Sequence, residues 1–136
     1  MKVIIFDAEC LGKDGVIRKY KFYVEEQGNI RVNISTPDGK PKWGCIDFQF
    51  DYFDKNTLRV SNMYIDNICY REKGIPEAII INLSKILKKT IVSSTHFGDN
   101  GEHLHKPAKK VWERLVSKGL AYYDDSIGRY RTNIKL

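Results

Sequence analysis

The sequence predicts a mixed α/β (α+β) fold in which a mostly antiparallel central sheet carries two helices. Three observations support that expectation. Apolar and polar residues alternate through parts of the N-terminal half, the spacing turns helical from Ile75, and Gly- and Pro-containing turn signals punctuate the strands without dividing the chain. With 136 residues and no internal repeat, low-complexity tract or linker, residues 1–136 read as a single domain with one modest core.

The first strand is expected over Lys2–Ala8, a short apolar stretch that Asp7 and Glu9 cut off, so it does not read as a signal peptide. Strands Arg18–Glu25 and Asn29–Thr36 follow, set apart by turn signals at residues 12–15 and 27–29. Residues 37–41 (Pro-Asp-Gly-Lys-Pro) form the strongest turn cluster, because proline fixes φ and glycine tolerates positive φ. Trp43–Tyr52 and Thr57–Asp66 then read as a hairpin. Ile46, Phe48, Phe50 and Tyr52 fall on one face, and Asp47, Gln49 and Asp51 on a solvated one.

Ile75, Ile79, Leu83, Ile86 and Leu87 recur at helical spacing, and Lys88 and Lys89 place positive charge at the helix's negative end. Thr90–Ser94 is a short β-branched strand, and residues 95–105 a polar loop. A second helix spans Pro107 to Lys118 with Ala108, Val111, Trp112 and Leu115 inward. Pro107 suits its first turn, and Gly119 the position past its end. Ala121–Tyr123 and Arg129–Ile134 close the chain as a hairpin.

Composition narrows the function classes. A net charge of +6 suits nucleic acid, an acidic partner or a polyanionic cofactor, with small basic clusters at Lys88-Lys89 and from Lys106 to Lys110. Cys10, Cys45 and Cys69 are odd in number and lack C-x-x-C spacing, which points to reduced thiols and a cytoplasmic setting. No run approaches the roughly 20 apolar residues that span a bilayer, so no membrane partner is expected.

Residues 70–76 (Tyr-Arg-Glu-Lys-Gly-Ile-Pro) sit where a strand feeds a helix. A helix N-terminus presents unpaired N–H groups and partial positive charge, Gly74 permits close backbone approach, and Arg71 and Lys73 add formal charge. This junction resembles that of the GNAT superfamily of N-acetyltransferases, whose signature is Gln/Arg-x-x-Gly-x-Gly/Ala. The order hairpin, loop, helix, strand, helix and closing hairpin is also similar, from about Trp43 to the C-terminus.

The resemblance implies a strand–loop–helix–strand core that binds acyl-CoA, with acetyl-CoA as co-substrate. Arg71, Lys73, Gly74, Ile75 and Pro76 would surround its pyrophosphate, and the strand end at Ile65, Asp66 and Ile68 would pair with the pantetheine arm. The acceptor would be an amine, a protein being favoured because the short chain leaves little room for a closed small-molecule pocket. The small size also resembles that of compact GNAT-like proteins encoded by phages and mobile elements. Two positions depart from the family. Pro76 replaces Gly or Ala and removes one donor, and Trp112 stands where many members carry a tyrosine acid. The N-terminal half also lacks the helix pair that shapes the family's acceptor site.

Acetyl transfer to an amine needs a base, donors for the developing oxyanion and a proton source for the thiolate. Asp66 is the candidate base, its competing role being to cap the strand or pair with Arg71. Ser94, with Ser93, ends the next strand and is a candidate donor. Tyr122, with Tyr123, is a candidate acid or an edge-packing residue. His96, His103 and His105 crowd one loop, but without carboxylate or cysteine at ligand spacing no metal is expected. Cys69, beside the basic loop, reads as a packed thiol rather than a nucleophile. Tyr52, Phe53, Tyr64 and Tyr70 line either an acceptor cleft or the core.

Two other readings stand beside this one. Residues 107–134, a basic helix followed by a basic hairpin, suit a winged-helix module on nucleic acid, although such a module needs a third helix. Pro76 and Trp112 suit a GNAT-fold binding protein without catalysis.

Overall fold

The computed structural model describes residues 1–65, 68–95 and 104–135. The described elements are β1 (Lys2–Leu11), β2 (Ile17–Gln27), β3 (Asn29–Ser35), β4 (Pro41–Lys42), β5 (Ile46–Asp54) and β6 (Thr57–Ile65), a 3-10 turn (Ile68–Tyr70), α1 (Ile75–Leu87), β7 (Thr90–Val92), α2 (Lys106–Ser117), β8 (Ala121–Asp124) and β9 (Arg129–Thr132). The fold is mixed α/β. One sheet runs in the order β1-β2-β3-β5-β6-β7-β9-β8, with β4 beside β3, and only β6 and β7 pair in parallel. Neither helix among the described residues is long and apolar enough to cross a membrane.

The core explains this curled arrangement. Ile75, Ala78, Ile79, Ile80, Ile81, Leu83 and Ser84 of α1 are all buried. A helix whose buried residues lie on more than one side must be enclosed, and α1 packs both on edge strand β1 and on β7, five positions away in the sheet. The spacing read from sequence gave a single stripe that included Ile86. Ile80 and Ile81 are buried as well, because the curled sheet and α2 reach a second side of the helix, whereas Ile86, in the last turn of α1, is 42% exposed.

Most strands fall close to their expected ranges, and the departures have physical causes. Within the turn cluster, Pro41 and Lys42 pair with Ser35 and Ile34. A proline without an N–H is tolerated in this marginal position. In β6, Asn62 opposes Gln49 while Val60 opposes Phe50, so Ser61 is an extra residue and forms a bulge. A second irregularity at Phe53 ends the regular alternation of β5, and Tyr52, expected on the inner face, is exposed. Lys88 ends α1 in the left-handed conformation, with the Lys89 N–H and the Ser84 hydroxyl closing the turn.

At the start of α1, Gly74 has a φ of 78°. A Cβ there would overlap the Leu11 carbonyl oxygen and stand 3.0 Å from the Leu11 nitrogen. The helix can therefore meet the end of β1 only through glycine. Replacing Gly74 with alanine should destabilise the protein by roughly 3 kcal/mol or more, through overpacking added to left-handed strain. Gly28 (φ 74°) has open space around its Cβ position, so alanine there should cost only about 1 kcal/mol. Urea denaturation of the two variants measures the difference.

Candidate functional site

The parallel step is the first part of the site. The β6–β7 ladder consists of Thr57 with Thr90, Leu58 with Ile91 and Arg59 with Val92, and there β7 ends. β6 continues to Ile65, held on its other side by β5. Among the described residues, no strand pairs with this side of β6 beyond Arg59, and the Ser61 bulge sits at the start of the bared stretch. Bulges recur beside functional sites because they end pairing and re-aim neighbouring groups.

The loop after β6 is the second part. Arg71 Nε donates to the Ile65 carbonyl at 3.3 Å and the Arg71 N–H to the Ile68 carbonyl at 3.4 Å, so the loop folds back on the strand end. Ile68 itself is 77% exposed. Gly74 caps α1 with no side-chain hydrogen bond, Ile75 is fully buried, and Pro76 lies half-buried in the first turn. Lys42 Nζ donates to the Tyr70 hydroxyl at 3.0 Å, and the Tyr70 ring meets Tyr20 edge-on.

The β1–β2 turn docks on this loop. The Lys13 N–H donates to the Glu72 carbonyl at 2.9 Å, and Lys13 Nζ stands 3.6 Å from the Glu72 carboxylate. Glu72 takes a φ of 57°, a left-handed geometry that carries strain in a non-glycine residue. Arg18, by a two-pronged hydrogen bond, holds the Asp14 carboxyl well below the usual carboxylate range. The Val16 N–H assists, and the charges of Arg18 and Lys73 act in the same direction. Asp14 and Glu72 thus offset part of the positive charge around α1's first turn.

The residues singled out in the sequence are dispersed. Ser94 is buried, and its hydroxyl donates to the Val60 carbonyl at 3.0 Å, across the mouth of the β6–β7 gap. Ser93 donates to the Ser94 carbonyl at 2.8 Å and accepts from the Tyr130 N–H at 3.0 Å. Each hydroxyl has one proton, and both protons are committed to main-chain carbonyls. Arg129 Nη1 also binds the Ser93 carbonyl, at 2.9 Å.

Tyr122 is exposed on edge strand β8, with β7 and β9 between it and β6. Tyr123 packs edge-on against Tyr130, whose ring stacks with Trp112. Trp112 is fully buried, and neither its indole N–H nor the Thr95 hydroxyl has a hydrogen-bond partner among the described residues. Tyr64 is 56% exposed on the bared stretch of β6. Asp66, His96 and His103 lie outside the described residues, and His105 is the exposed N-cap of α2. Among the described residues no group of three or more His, Cys, Asp or Glu could hold a metal ion.

The sequence reading missed the docking of residues 12–13 on the loop, the Ser61 bulge and the packing role of Gly74. The turn signal at residues 12–15 was visible, but nothing local to it names its partner sixty residues on in the chain. No protein-family model, curated protein or solved structure matches the chain.

Two measurements follow from these environments. Ser93→Ala should cost about 1–3 kcal/mol by leaving the Tyr130 N–H and the Ser94 carbonyl unpaired, read as a lower urea midpoint. Burial, with the Glu77 carboxylate adding to it, pushes the Cys10 thiol from 9.0 up to about 12. The folded state therefore holds a proton that the unfolded chain releases, and this contribution to stability is full below pH 9 and lost as pH rises towards about 12. Wild type should lose more stability than Cys10→Ala across that window, measured by denaturation at successive pH values.

Proposed function

We propose that the chain binds acetyl-CoA along the bared edge of β6 and at the N-terminus of α1, and transfers the acetyl group to an amine. The observation that carries this reading is the parallel ladder that stops at Arg59 and Val92 while β6 runs on to Ile65, leading into the uncapped start of α1. Main-chain groups on that edge offer hydrogen bonds to an amide-bearing arm. Lys73 and Arg71, with the N–H groups of the first turn, offer partners for phosphate. The Thr95 hydroxyl, three residues beyond the end of β7, has no partner among the described residues and fits a polar ligand there.

In the transfer itself, the amine nitrogen forms a bond to the thioester carbonyl carbon and gives up a proton, the C–S bond breaks, and the departing thiolate takes up a proton. The committed protons of Ser93 and Ser94 leave the main-chain N–H groups around the Ser61 bulge as the donors for the thioester oxygen. Tyr64 is the phenol carried on the bared stretch itself. A second reading, a protein that binds acetyl-CoA without turnover, is favoured by those same committed hydroxyls and by the burial of Trp112. The winged-helix reading has less support. The β8–β9 hairpin is built into the sheet through Val92 and Arg131, Arg129 is 9% exposed, and Arg131 lies 3.5 Å from Asp124.

Acetyl-CoA should raise the melting temperature, the stabilisation reaching about 2.7 kcal/mol at a hundredfold excess over Kd. Lys73→Glu should abolish the shift while leaving the unliganded melt near that of wild type. Gly74 variants are unsuitable because they disturb the packing on Leu11. No shift at millimolar acetyl-CoA would sink the proposal. A shift without acetylation of a lysine-rich protein mixture would assign the non-catalytic reading.

A further inference from the structure

A second opening lies at the far edge of the sheet. β1 is the terminal strand, pairs only with β2, and keeps an unbroken register from Lys2–Glu26 to Leu11–Ile17. Long, straight edge strands are templates for another strand unless something covers them. The orientation of this edge can be read from Leu11. Its nitrogen and carbonyl oxygen both lie on the side of Gly74, whereas the next residue, Gly12, donates back to Val16 at 2.9 Å. In an antiparallel strand both groups of alternate residues point the same way. The N–H and C=O of Glu9 and Asp7 therefore also turn away from β2.

From Glu9 to Lys13 this edge forms one wall of a groove of about 690 Å³, which α2 borders on the other side. Ala78 and Ile81 of α1 form part of an apolar floor, with Leu115 and Leu120 beside them. Glu77 also lines the groove. Its Oε1 accepts from Arg114 at 2.6 Å, and its Oε2 is buried with no donor. Lys13 is likewise paired, with Glu72. Lys110 and Lys118 on the α2 wall have no ion pair among the described residues, and neither has Glu9 on the β1 wall, so the α2 wall keeps uncompensated positive charge that one carboxylate across the groove offsets only in part.

We propose that this groove takes an extended peptide segment of another protein as an added strand on β1, with acidic side chains against Lys110 and Lys118. Main-chain pairing would satisfy Glu9 and Asp7, and alternate side chains would meet the apolar floor and the basic wall. A second copy of β1 would arrive with its own helices alongside. This proposal does not rest on acetyl transfer.

The test uses a short fluorescein-labelled peptide of alternating valine and glutamate, a lysine-for-glutamate counterpart, and a version N-methylated on alternate amides. Fluorescence anisotropy should show saturable binding of the acidic peptide alone, lost on combining Lys110→Glu with Lys118→Glu. Amide exchange at Asp7 and Glu9 should slow on binding. Glu9→Pro removes only an outward N–H, which an edge strand tolerates, and should abolish binding with the melt preserved. If that variant fails to fold, the N-methylated peptide applies the same test to the unaltered protein. Absence of binding, or equal binding of the N-methylated peptide, would overturn the proposal. So would concentration-dependent self-association that protects the same amides without peptide, which would give the edge to a second copy.

Discussion

The enclosure of α1 is the constraint on which the other features depend. Its buried residues are spread around the helix axis, so no flat sheet could cover them. The sheet curls, and the curl carries terminal strand β1 round to the helix's first turn. Contact there is so close that only a residue without a Cβ fits opposite Leu11. One glycine therefore sets where the β1–β2 turn docks and, through the Lys13–Glu72 hydrogen bond, the left-handed shape of the loop before α1.

The same curl separates two strand edges. One is internal, where β7 stops and β6 continues, and its mouth is pinned by Ser94 on Val60 and by Arg129 on Ser93. The other is terminal, along β1, where α2 stands off far enough to leave a groove. The internal edge comes from a length mismatch between neighbouring strands: β7 is three residues long beside a nine-residue β6.

Strand and helix positions were legible in the sequence because alternation and helical spacing are local signals. Phe48 and Phe50 declare an inward face, and Val111, Trp112 and Leu115 declare a helix stripe that the structure buries. Non-local reasons were not legible. Gly74 suits close approach of a ligand as well as close approach of a strand, and only the curled sheet shows Leu11 filling that space. Ile86 belongs to the helical spacing, yet in the last turn of α1 it is 42% exposed, while Ile80 and Ile81, outside the stripe, are buried. Ser93 and Ser94 end a strand, as expected, but their partners Tyr130 and Val60 are set by pairing across the sheet.

Charge is where sequence and structure differ most in meaning. The spacing of Arg71 and Lys73 around Gly74 suggests a strongly positive loop. In the folded protein the β1–β2 turn brings Asp14 close enough to Lys73 to feel its charge, and Glu72 pairs with Lys13. The loop's pull on an anion must then rest more on oriented N–H groups than on net charge, and Pro76 removes one of those groups. On the α2 wall the balance runs the other way. Arg114 is neutralised by Glu77, but Lys110 and Lys118 have no ion pair among the described residues. A net charge of +6 is therefore a poor guide to where this protein attracts anions. Which cations the fold leaves unpaired, and which main-chain edges lie beside them, is the physical basis on which its two openings differ.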